Sequence, residues 1–354
     1  MPELTPEQKA VEAQVDAFIH RRQSERDWFC FQGQAGVGKS VLLAHLARKY
    51  TGSKLCAFTG KAASVVSRKS GLHAVTIHSA IYTPYEDAET RELKFARKLK
   101  DGEWYGNLVF VDEASTVSQW LAKDLLATGC KVVACGDDGQ LPPVKGYSFF
   151  TEGGAADATL HEIHRQAWDS PIIRQAHAVR NGMAYQNDGP DFKIKRDISR
   201  DDLMSANVLL CYRNVTRVGL NRLMRAHHGL GGIAMRGEPI MALKNSPEWG
   251  ILNGGVYPLL ENHINGSGVV VIRNERGEEI EIKDAWIEDF EGPLLVEESN
   301  PFAWAYACTV HKAQGSEYEM VILVDEYDRA DQRNRWLYTG LTRASKRVIV
   351  QRFW

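Results

Sequence analysis

Short apolar runs alternate with amphipathic stretches along most of the chain. In the first half, four such runs have the length and composition of buried strands: Trp28–Phe31, Leu55–Phe58, Leu108–Val111 and Val132–Cys135. Each is followed by a turn and a helical pattern, as at Ser40–Tyr50, where apolar residues recur at helical spacing. This alternation predicts an α/β fold with a mainly parallel sheet.

A second set of the same elements follows in the other half of the chain. Strand patterns occur at Val208–Tyr212, Val321–Val324 and Val348–Phe353, and helical patterns at Ile172–Arg180 and Val215–Ala226. The two sets are separated by more than 70 residues without a comparable buried run. We therefore expect two α/β lobes rather than one continuous sheet.

Two segments interrupt this pattern. Tyr82–Tyr105 is polar and charged and includes the basic stretch RELKFARKLK. Ile251–Phe290 is rich in glycine and β-branched residues, with turn signals at NGG, NGSG and ERGE. The first segment predicts an insertion in the first lobe, and the second predicts a small all-β insertion in the second lobe.

Composition and charge narrow the possible partners. The chain has 354 residues, with 43 Lys plus Arg against 45 Asp plus Glu, and its formal net charge is −2. A uniformly basic coat is therefore excluded, and any nucleic-acid binding must come from a local basic surface. No apolar run approaches the roughly 18 residues of a membrane span. The six cysteines lack metal-site spacing and indicate reduced core residues of a cytosolic protein.

The segment GQAGVGKS at Gly33–Ser40 matches G-x-x-x-x-G-K-[ST] between a predicted strand and a predicted helix. Glycines in such a loop let backbone N–H groups approach phosphates, and the helix N-terminus adds positive potential. Lys39 is expected to reach the β- and γ-phosphates, and Ser40 to ligate Mg²⁺. The residues predicted to surround the nucleotide are Gly33, Ala35, Gly36, Val37, Gly38, Lys39 and Ser40.

Acidic residues follow another predicted strand in the segment LVFVDEAS. Asp112 is placed to hold Mg²⁺, and Glu113 to orient and deprotonate an attacking water. The alternative for this pair is a helix N-cap. Gln140, after the strand in VVACGDDGQLPPV, could sense the γ-phosphate, although a surface turn built on GDDG explains that segment equally well. Together these features predict an ATPase or GTPase.

The three segments in this order resemble motifs I, II and III of superfamily 1 helicases. LHEIHRQ (Leu160–Gln166), YACTVHKAQGSEYE (Tyr306–Glu319) and YTGLTRA (Tyr338–Ala344) resemble motifs IV, V and VI, and TPEQ (Thr5–Gln8) resembles the adenine-reading Q motif. VLLCYRN and TVHKAQG are similar to the 5′→3′ branch that contains Dda, RecD and Pif1. The resemblance spans Gln8 to Ala344, and it suggests a minimal helicase of phage Dda-like type without the accessory domains of RecD proteins.

The resemblance implies an architecture of two RecA-like P-loop lobes with parallel sheets. Residues 1–160 would form the first lobe, with a strand-separating pin at 82–106. Residues 161–228 and 292–354 would form the second lobe, and residues 229–291 an SH3-like module inserted in it.

The resemblance also assigns roles at the nucleotide. Gln8 would contact the adenine and Gln140 the γ-phosphate, and Gly315 would lie near the nucleotide. Arg165 and Arg343 would act as arginine fingers from the second lobe, which stabilise charge on the transferred phosphoryl group. The alternative for either arginine is a surface salt bridge.

Six further residues would contact a single DNA strand by resemblance to the family. Thr59, Lys61 and His78 belong to the first lobe, and Asn214, Thr309 and His311 to the second. Thr59 could instead cap a helix, and His78 could be a satisfied core histidine. The arginines around helix Val215–Ala226 add local positive charge, although a basic helix is commonly only solvated.

Phe95 lies among cations in the predicted pin and could stack on the last base pair of a duplex. Trp104 is the alternative candidate for the residue that separates the strands. An amphipathic helix with Leu93 and Leu99 packed inward is an equal alternative to a hairpin. Two residues depart from the family pattern, since Phe58 replaces a common proline and Gly340 a common alanine.

The sequence as a whole predicts an ATP-dependent 5′→3′ DNA helicase that uses ATP and Mg²⁺. Its expected partners are single-stranded DNA and single-strand–duplex junctions, with a single-strand-binding protein as a further candidate and no membrane. A monomer in the bacterial or phage-infected host cytoplasm is expected. The alternatives are a single-strand-stimulated translocase that displaces bound proteins, an RNA or RNA–DNA helicase, and a small-substrate phosphotransferase, against which the second-lobe motifs argue.

Overall fold

The computed structural model describes residues 3–21, 26–86, 93–97, 108–152, 156–163, 168–246, 249–263, 269–274, 276–287 and 300–352. The chain divides into two compact units, Met1–Trp168 and Asp169–Trp354. Each unit has its own parallel sheet. The alternation of strand and helix patterns in the sequence is thus confirmed.

Unit 1 is built on a six-stranded sheet in which every neighbouring pair is parallel. The strands of this unit are β1 (Trp28–Gly33), β2 (Lys54–Ala57), β3 (Ala74–Thr76), β4 (Tyr82–Glu86), β5 (Leu93–Arg97), β6 (Leu108–Val111), β7 (Lys131–Gly136) and β8 (Ala158–Leu160). Its helices are α1 (Pro6–His20), α2 (Lys39–Lys49), α3 (Gly60–Ser70), α4 (Ile77–Ile81) and α5 (Gln119–Leu126). The sheet order is β3-β2-β6-β7-β1-β8.

Helices cover both faces of this sheet, which explains why its strands are almost continuously apolar. Leu42 and Leu46 of α2 lie in one core with Phe31 and Phe110. Helices α4 and α5 contribute to the opposite core together with Val109 and Val132. Burial of each such aliphatic side chain contributes about 1.5–3 kcal/mol. The sheet is therefore held from two sides, and its strand ends are fixed positions for side chains.

Strands β4 and β5 form an antiparallel hairpin in unit 1, separate from the parallel sheet. Tyr82 pairs with Arg97, and Glu86 pairs with Leu93. Of the two alternatives left by the sequence, a hairpin or a helix, the hairpin is confirmed for these strands. The side chain of Phe95 and the whole of Trp104 lie outside the described residues.

Unit 2 contains a five-stranded parallel sheet in the order β17-β10-β18-β19-β9. The strands of this unit are β9 (Phe192–Lys195), β10 (Val208–Cys211), β11 (Pro239–Ala242), β12 (Val256–Pro258), β13 (Val269–Arg273), β14 (Glu279–Lys283), β15 (Ala285–Ile287), β16 (Asn300–Trp304), β17 (Ala307–Thr309), β18 (Tyr318–Val324) and β19 (Ala344–Gln351). Its helices are α6 (Pro171–Arg180), α7 (Arg200–Ser205), α8 (Asn214–His227) and α9 (Arg333–Leu341).

The remaining strands of unit 2 form a small β structure of a four-stranded sheet, β12-β11-β16-β15, and the β13–β14 hairpin. Ile240, Ile272 and Phe302 lie in its shared apolar core. The sequence prediction of an all-β segment is correct in kind but too narrow in extent. Strand β11 lies outside Ile251–Phe290 but within the expected module of residues 229–291, whereas β16 lies beyond residue 291, where the second lobe was expected to resume. The physical reason is that β16 is hydrogen-bonded to β11 and β15 and not to the parallel sheet.

Two further observations concern expectations from composition. All six cysteines are buried. Among the helices that the structure describes, none is long and apolar enough to cross a membrane.

Candidate nucleotide and nucleic-acid sites

The loop between β1 and α2 has the backbone conformation of a phosphate cradle. Gly36 and Gly38 have φ values of 89° and 77°, in the left-handed region that glycine adopts without a steric penalty. Gly33 ends β1 so close to β8 that a Cβ there would lie 2.7 Å from the Leu160 carbonyl oxygen. The loop thus depends on three glycines for two different reasons, conformation and close approach.

Lys39 is the first residue of α2 and folds back over this loop. Its Nζ donates to the carbonyl oxygens of Gly33 at 2.7 Å and Gln34 at 3.0 Å. The same Nζ lies 3.9 Å from Oδ2 of Asp137, a fully buried residue directly after β7. Carbonyl oxygens and a carboxylate therefore hold the ammonium group at the loop, where a phosphate would meet it.

Asp112 and Glu113 follow β6 and are held by their own backbone. Asp112 is buried, and its Oδ1 accepts hydrogen bonds from the Glu113 N–H at 2.9 Å and from the Cys135 thiol at 3.1 Å. Glu113 has a φ of 53°, rare for a residue with a side chain, and its carbonyl accepts from the N–H and hydroxyl of Thr116. Such a conformation costs about 1–3 kcal/mol and persists where surrounding bonds impose it, often at functional sites. The helix-cap alternative does not describe the pair, because Glu113 precedes a short 3₁₀ turn without a side-chain cap bond.

The turn after β7 is buried rather than a surface turn. Asp137 accepts from the Gly139 N–H at 3.0 Å through Oδ1, and its carbonyl accepts from the Gln140 N–H at 3.1 Å. Gln140 is only 6% exposed, and its Oε1 has no hydrogen-bond partner among the described residues. A buried acceptor without a partner costs free energy, so this atom is available for a donor from a ligand or water. Sequence reasoning missed Asp137, although its place in GDDG directly after a strand was a usable signal.

Two residues at the start of helix α1 contact the phosphate loop and the segment after β8. Gln8 is buried, accepts from the Thr5 N–H at 3.0 Å, and directs Nε2 to the Val37 and Gly38 carbonyls at 3.4 and 3.5 Å. The carboxylate of Glu7, which sequence reasoning passed over, accepts from the backbone N–H groups of residues 161 and 162 at 2.9 Å each. The start of α1 therefore links the phosphate loop to the segment after β8.

The residues predicted to bind DNA in unit 1 lie at the same end of the sheet. Thr59 follows β2 and caps α3, accepting from the Ala62 N–H at 3.1 Å, so the capping alternative is confirmed for its hydroxyl. Lys61 is the second residue of α3. His78, after β3, is exposed, so the core-histidine alternative is wrong, and its ring centroid lies 4.5 Å from that of Tyr82. Because all strands run parallel, these residues share the carboxyl edge with the nucleotide residues.

Arg343 lies at the amino edge of the second sheet, directly before β19. It is 5% exposed, and its guanidinium donates to the Thr339 carbonyl at 3.0 Å, the Ser316 carbonyl at 3.2 Å and the Thr342 hydroxyl at 3.2 Å. A guanidinium has five N–H donors, so two remain after these three bonds. Gly315, with a φ of 73°, precedes Ser316 at the same edge. The surface-salt-bridge alternative is wrong for Arg343, because it is buried against neutral acceptors.

The DNA-contact candidates of unit 2 lie near the carboxyl edge of that sheet. Asn214 begins α8 after β10, and Thr309 ends β17. Glu326, missed from the sequence, fixes this turn by accepting from the Tyr212 and Arg213 N–H groups at 2.8 and 2.9 Å. Burial lowers the pKa of His311, which favours the neutral ring.

Arg225 of the basic helix α8 and Arg213, directly before this helix, both have acidic partners within unit 2. Arg225 donates to the buried Glu238 at 2.8 Å and stacks its guanidinium 4.0 Å from the Trp304 ring centroid. Arg213 pairs with Asp328 at 2.6 Å. The local positive charge expected around this helix is therefore partly neutralised within unit 2.

Two of the predicted site residues lie wholly or partly outside the described residues. Arg165 lies outside the described residues, as does the Phe95 side chain. Within the described ranges, no group of three or more His, Cys, Asp or Glu side chains is arranged to hold a metal ion without a ligand phosphate. Gly340 has a packing reason to lack a side chain, since a Cβ there would lie 2.9 Å from Leu323 Cδ1.

Comparisons with known proteins agree with this geometry. The AAA domain family model matches residues 9–190, and the UvrD-like helicase C-terminal domain model matches residues 304–351. The ATP-dependent RecD2 DNA helicase of Deinococcus radiodurans is 30% identical over 343 residues, covering 90% of this chain and 46% of that protein. The chain belongs to the Dda/RecD/Pif1 group of superfamily 1 helicases.

Other members of this helicase group support the assignment. The Dda helicase of Enterobacteria phage T4 is 32% identical over 193 residues, covering 49% of this chain and 43% of Dda. Bacteroides Pif1 bound to ssDNA superposes with a TM-score of 0.65 at 20% identity, covering 100% of this chain and 93% of Pif1, which supports the fold. The chain spans about half the length of the RecD2 and Dda relatives it matches.

Proposed function

We propose that the chain is an ATP-dependent 5′→3′ DNA helicase that moves along single-stranded DNA and unwinds duplex. The observation that carries this proposal is the carboxyl edge of the unit 1 sheet. The phosphate loop, Asp112 and Gln140 follow β1, β6 and β7 there, while Thr59 and His78 follow β2 and β3. ATP and a nucleic-acid strand could thus act on neighbouring strand ends of one rigid sheet. The names of the RecD2, Dda and Pif1 relatives support DNA as the strand.

ATP and Mg²⁺ are the proposed ligands of the nucleotide site. Ser40 and Asp112 would hold the ion, since the Asp112 carboxylate is buried beside the loop and only its Oδ1 is used within the described part of the chain. When bound, Mg²⁺ neutralises charge on the β- and γ-phosphates. Lys39 would exchange loop carbonyls for phosphate oxygens, and Glu113 would accept a proton from the attacking water. The unpartnered Oε1 of Gln140 would accept from that water, which orients it toward the γ-phosphate.

Arg343 and Arg165 are proposed to act on the same nucleotide. The two unused N–H donors of Arg343 suit a phosphoryl oxygen, and its three bonds to unit 2 would keep the guanidinium oriented. Arg165 keeps this role by its motif alone. Gln8 is proposed to contact the adenine, and its side chain already adjoins the phosphate loop.

The two insertions would serve the DNA. The β4–β5 hairpin is proposed as the strand-separating pin, because its base is fixed to α5. Asp124 of α5 accepts from the Tyr82 hydroxyl and, at 3.1 Å, from Arg97. The small β structure is proposed as an SH3-like module beside the DNA path, since Lys312, adjacent to His311, donates to its Asn253 at 3.0 Å.

The decisive experiment compares two partial duplexes, one with a 5′ and one with a 3′ single-stranded tail, while ATP hydrolysis is recorded in parallel. Unwinding of the 5′-tailed substrate alone is expected. The Lys39→Ala variant should lose stimulated hydrolysis and unwinding together, because the phosphates lose their ammonium partner. Hydrolysis without unwinding of either substrate would replace this proposal by a protein-displacing translocase, and a preference for an RNA tail would replace DNA as the track.

A further inference from the structure

Unit 1 carries an exposed surface of aromatic and basic side chains that the proposed DNA track does not include. Trp120 is 68% exposed, Tyr147 is 47% exposed and Val144 is 81% exposed. Lys123 and Lys145 are exposed beside them. We call these five residues the aromatic–basic surface. A tryptophan exposed to this degree is unusual, because burial of its large apolar ring is normally favourable.

Backbone pairing brings the two halves of this surface together. Ser118, before α5, forms an antiparallel bridge with Ser148, and the Phe149 N–H donates to the Val117 carbonyl at 3.1 Å. This register sets Tyr147 opposite Gln119, the neighbour of Trp120. Consistently, a Cβ on Gly146 would lie 3.8 Å from the Gln119 side chain. The two segments that carry the aromatic–basic surface are therefore adjacent.

The chemistry of this surface suits an unpaired nucleic-acid strand. Exposed rings offer faces on which bases stack, and neighbouring lysines can contact phosphates. Lys123 Nζ lies 5.6 Å from the Trp120 ring centroid, and neither Lys123 nor Lys145 forms an ion pair within the described part of the chain. The nearby carboxylate of Asp124 is engaged by Tyr82 and Arg97. Bases in a duplex are stacked on one another, so a single strand is the better partner.

The aromatic–basic surface lies near the base of the β4–β5 hairpin, and this position bears on which DNA strand it would bind. The His78 ring adjoins the ring of Tyr82, whose hydroxyl donates to Asp124. Trp120 lies one helical turn before Asp124 on α5, so the two side chains share a helix face. The base of the β4–β5 hairpin thus contacts His78 through Tyr82, and it contacts the helix face that carries Trp120 through Asp124.

We propose that the aromatic–basic surface binds the displaced strand as it leaves the hairpin. This inference rests on the proposed helicase function, in which the hairpin separates the strands and His78 contacts the retained one. Bases of the displaced strand stack on Trp120 and Tyr147, and Lys123 and Lys145 contact its phosphates. Capture of this strand opposes reannealing behind the hairpin.

A crosslinking experiment tests the contact without requiring unwinding. Forked DNA carries a 5′ loading tail and a 3′ tail on the complementary strand, with 5-iododeoxyuridine placed in one tail or the other. Ultraviolet irradiation and peptide mapping then locate the contact. We expect the 3′ tail to crosslink to Trp120 or Tyr147 and the 5′ tail not to. Absence of these crosslinks, or their formation from the loading tail alone, would overturn the proposal.

Variants provide a second measurement. Trp120→Ala with Tyr147→Ala should weaken binding of the forked DNA about a hundredfold relative to DNA with the 5′ tail alone, since loss of each of the two stacked bases has about a tenfold effect. Lys123→Gln with Lys145→Gln should reduce the salt dependence of the fork preference. Met183→Ala, an exposed apolar position in unit 2, is the control and should change neither. All these side chains are exposed, so folding should be preserved.

The outcomes separate this inference from the proposed function. If the wild-type chain unwinds DNA but the variants keep its full fork preference, the displaced-strand proposal is overturned and the helicase proposal stands. If the wild-type chain shows no stimulated hydrolysis yet crosslinks through Trp120, the surface binds a single strand and the helicase proposal fails.

Discussion

The two parallel sheets use their edges differently. In unit 1, the phosphate loop, Asp112, Thr59 and His78 all follow the carboxyl ends of strands. In unit 2, Thr309 and Asn214 lie near the carboxyl edge, but Gly315 and Arg343 lie at the amino edge. The unit 1 sheet has its candidate nucleotide-binding and DNA-contact residues at one edge. The unit 2 sheet has them at opposite edges, separated by the length of its strands.

The two units also differ in how they hold their candidate residues. The unit 1 edge holds side chains in place through local turns, as at Glu113 and Asp137. Arg343 is instead bonded to residues of α9 and of the segment before β18, so its position follows the whole unit. The unit 1 candidates are thus held by turns next to single strand ends, whereas Arg343 is held by two separate segments of unit 2.

The largest effect is expected when the guanidinium of Arg343, at the amino edge of the unit 2 sheet, is removed. Arg343→Ala should lower DNA-stimulated ATP turnover by about 10³–10⁵, the usual range for an arginine finger, while ATP binding is largely retained. Steady-state hydrolysis and binding of a fluorescent ATP analogue would measure the two effects. Arg347→Ala, in the strand β19 that follows Arg343, is the matched control, because Arg347 faces Asp202 at 3.8 Å. Equal losses in both variants would mean that Arg343 only supports the fold.

The next test addresses the carboxyl edge of unit 1. Glu113→Gln should lower turnover by about 10²–10⁴, because the amide cannot accept the proton of the attacking water. The backbone bonds of residue 113 do not involve its side chain, so the left-handed conformation should persist. Glu152→Gln, exposed in the same unit, should have no effect. Hydrolysis near the wild-type rate in Glu113→Gln would mean that another residue is the general base.

A smaller effect is expected where unit 1 holds its hairpin. Burial and the hydrogen bond to Asp124 raise the pKa of Tyr82 to about 12, so its hydroxyl stays a donor. Asp124→Asn weakens this bond and the pair with Arg97, and unwinding should fall about threefold while single-strand-stimulated hydrolysis is unchanged. The matched control is Asp16→Asn, which disrupts a similar bond to Tyr50 far from the hairpin. Parallel loss of hydrolysis and unwinding would refute the hairpin as a separate strand-splitting element.

The smallest effect is expected at the carboxyl edge of unit 2. Because burial holds the pKa of His311 below its usual value of 6.5, the unfolded chain takes up this proton first as the pH falls. The stability contribution is therefore present above about pH 6.5 and is lost as the pH falls through the pKa of the folded state. Urea midpoints at pH 7.5 and 5.5 should differ less in His311→Gln than in the wild-type chain. An unchanged difference would contradict the assigned burial.

The strand ends of unit 1 were the most predictable part of the molecule. The strand Leu108–Val111 was predicted with its observed limits, and the phosphate loop with its flanking elements. Buried parallel strands are continuous apolar runs. Asp112 and Glu113 follow such a run directly, whereas Lys39 follows the loop after β1 and Gln140 lies in the turn after β7. Short strands such as β3, β8, β9 and β17, with three or four residues each, carry too little periodicity to be recognised.

The residues that fix the sites were not predictable in the same way. Glu7, Asp124 and Glu326 act through hydrogen bonds to residues 27 to 155 positions away in the sequence. Such contacts exist only once the fold has formed, and a single carboxylate has no local signature. The extent of the small β structure was missed for the same reason, since β16 becomes part of it only through its neighbours.

The burial of all six cysteines has a practical consequence for following the two units in solution. Burial raises the pKa of Cys30 and Cys56 to about 12, and a thiol held in its protonated form reacts slowly with maleimides. The natural chain should therefore give low background labelling. Cysteines introduced at the exposed positions Thr51 and Met183 would carry a fluorophore pair, one on each unit, to record their separation through a catalytic cycle.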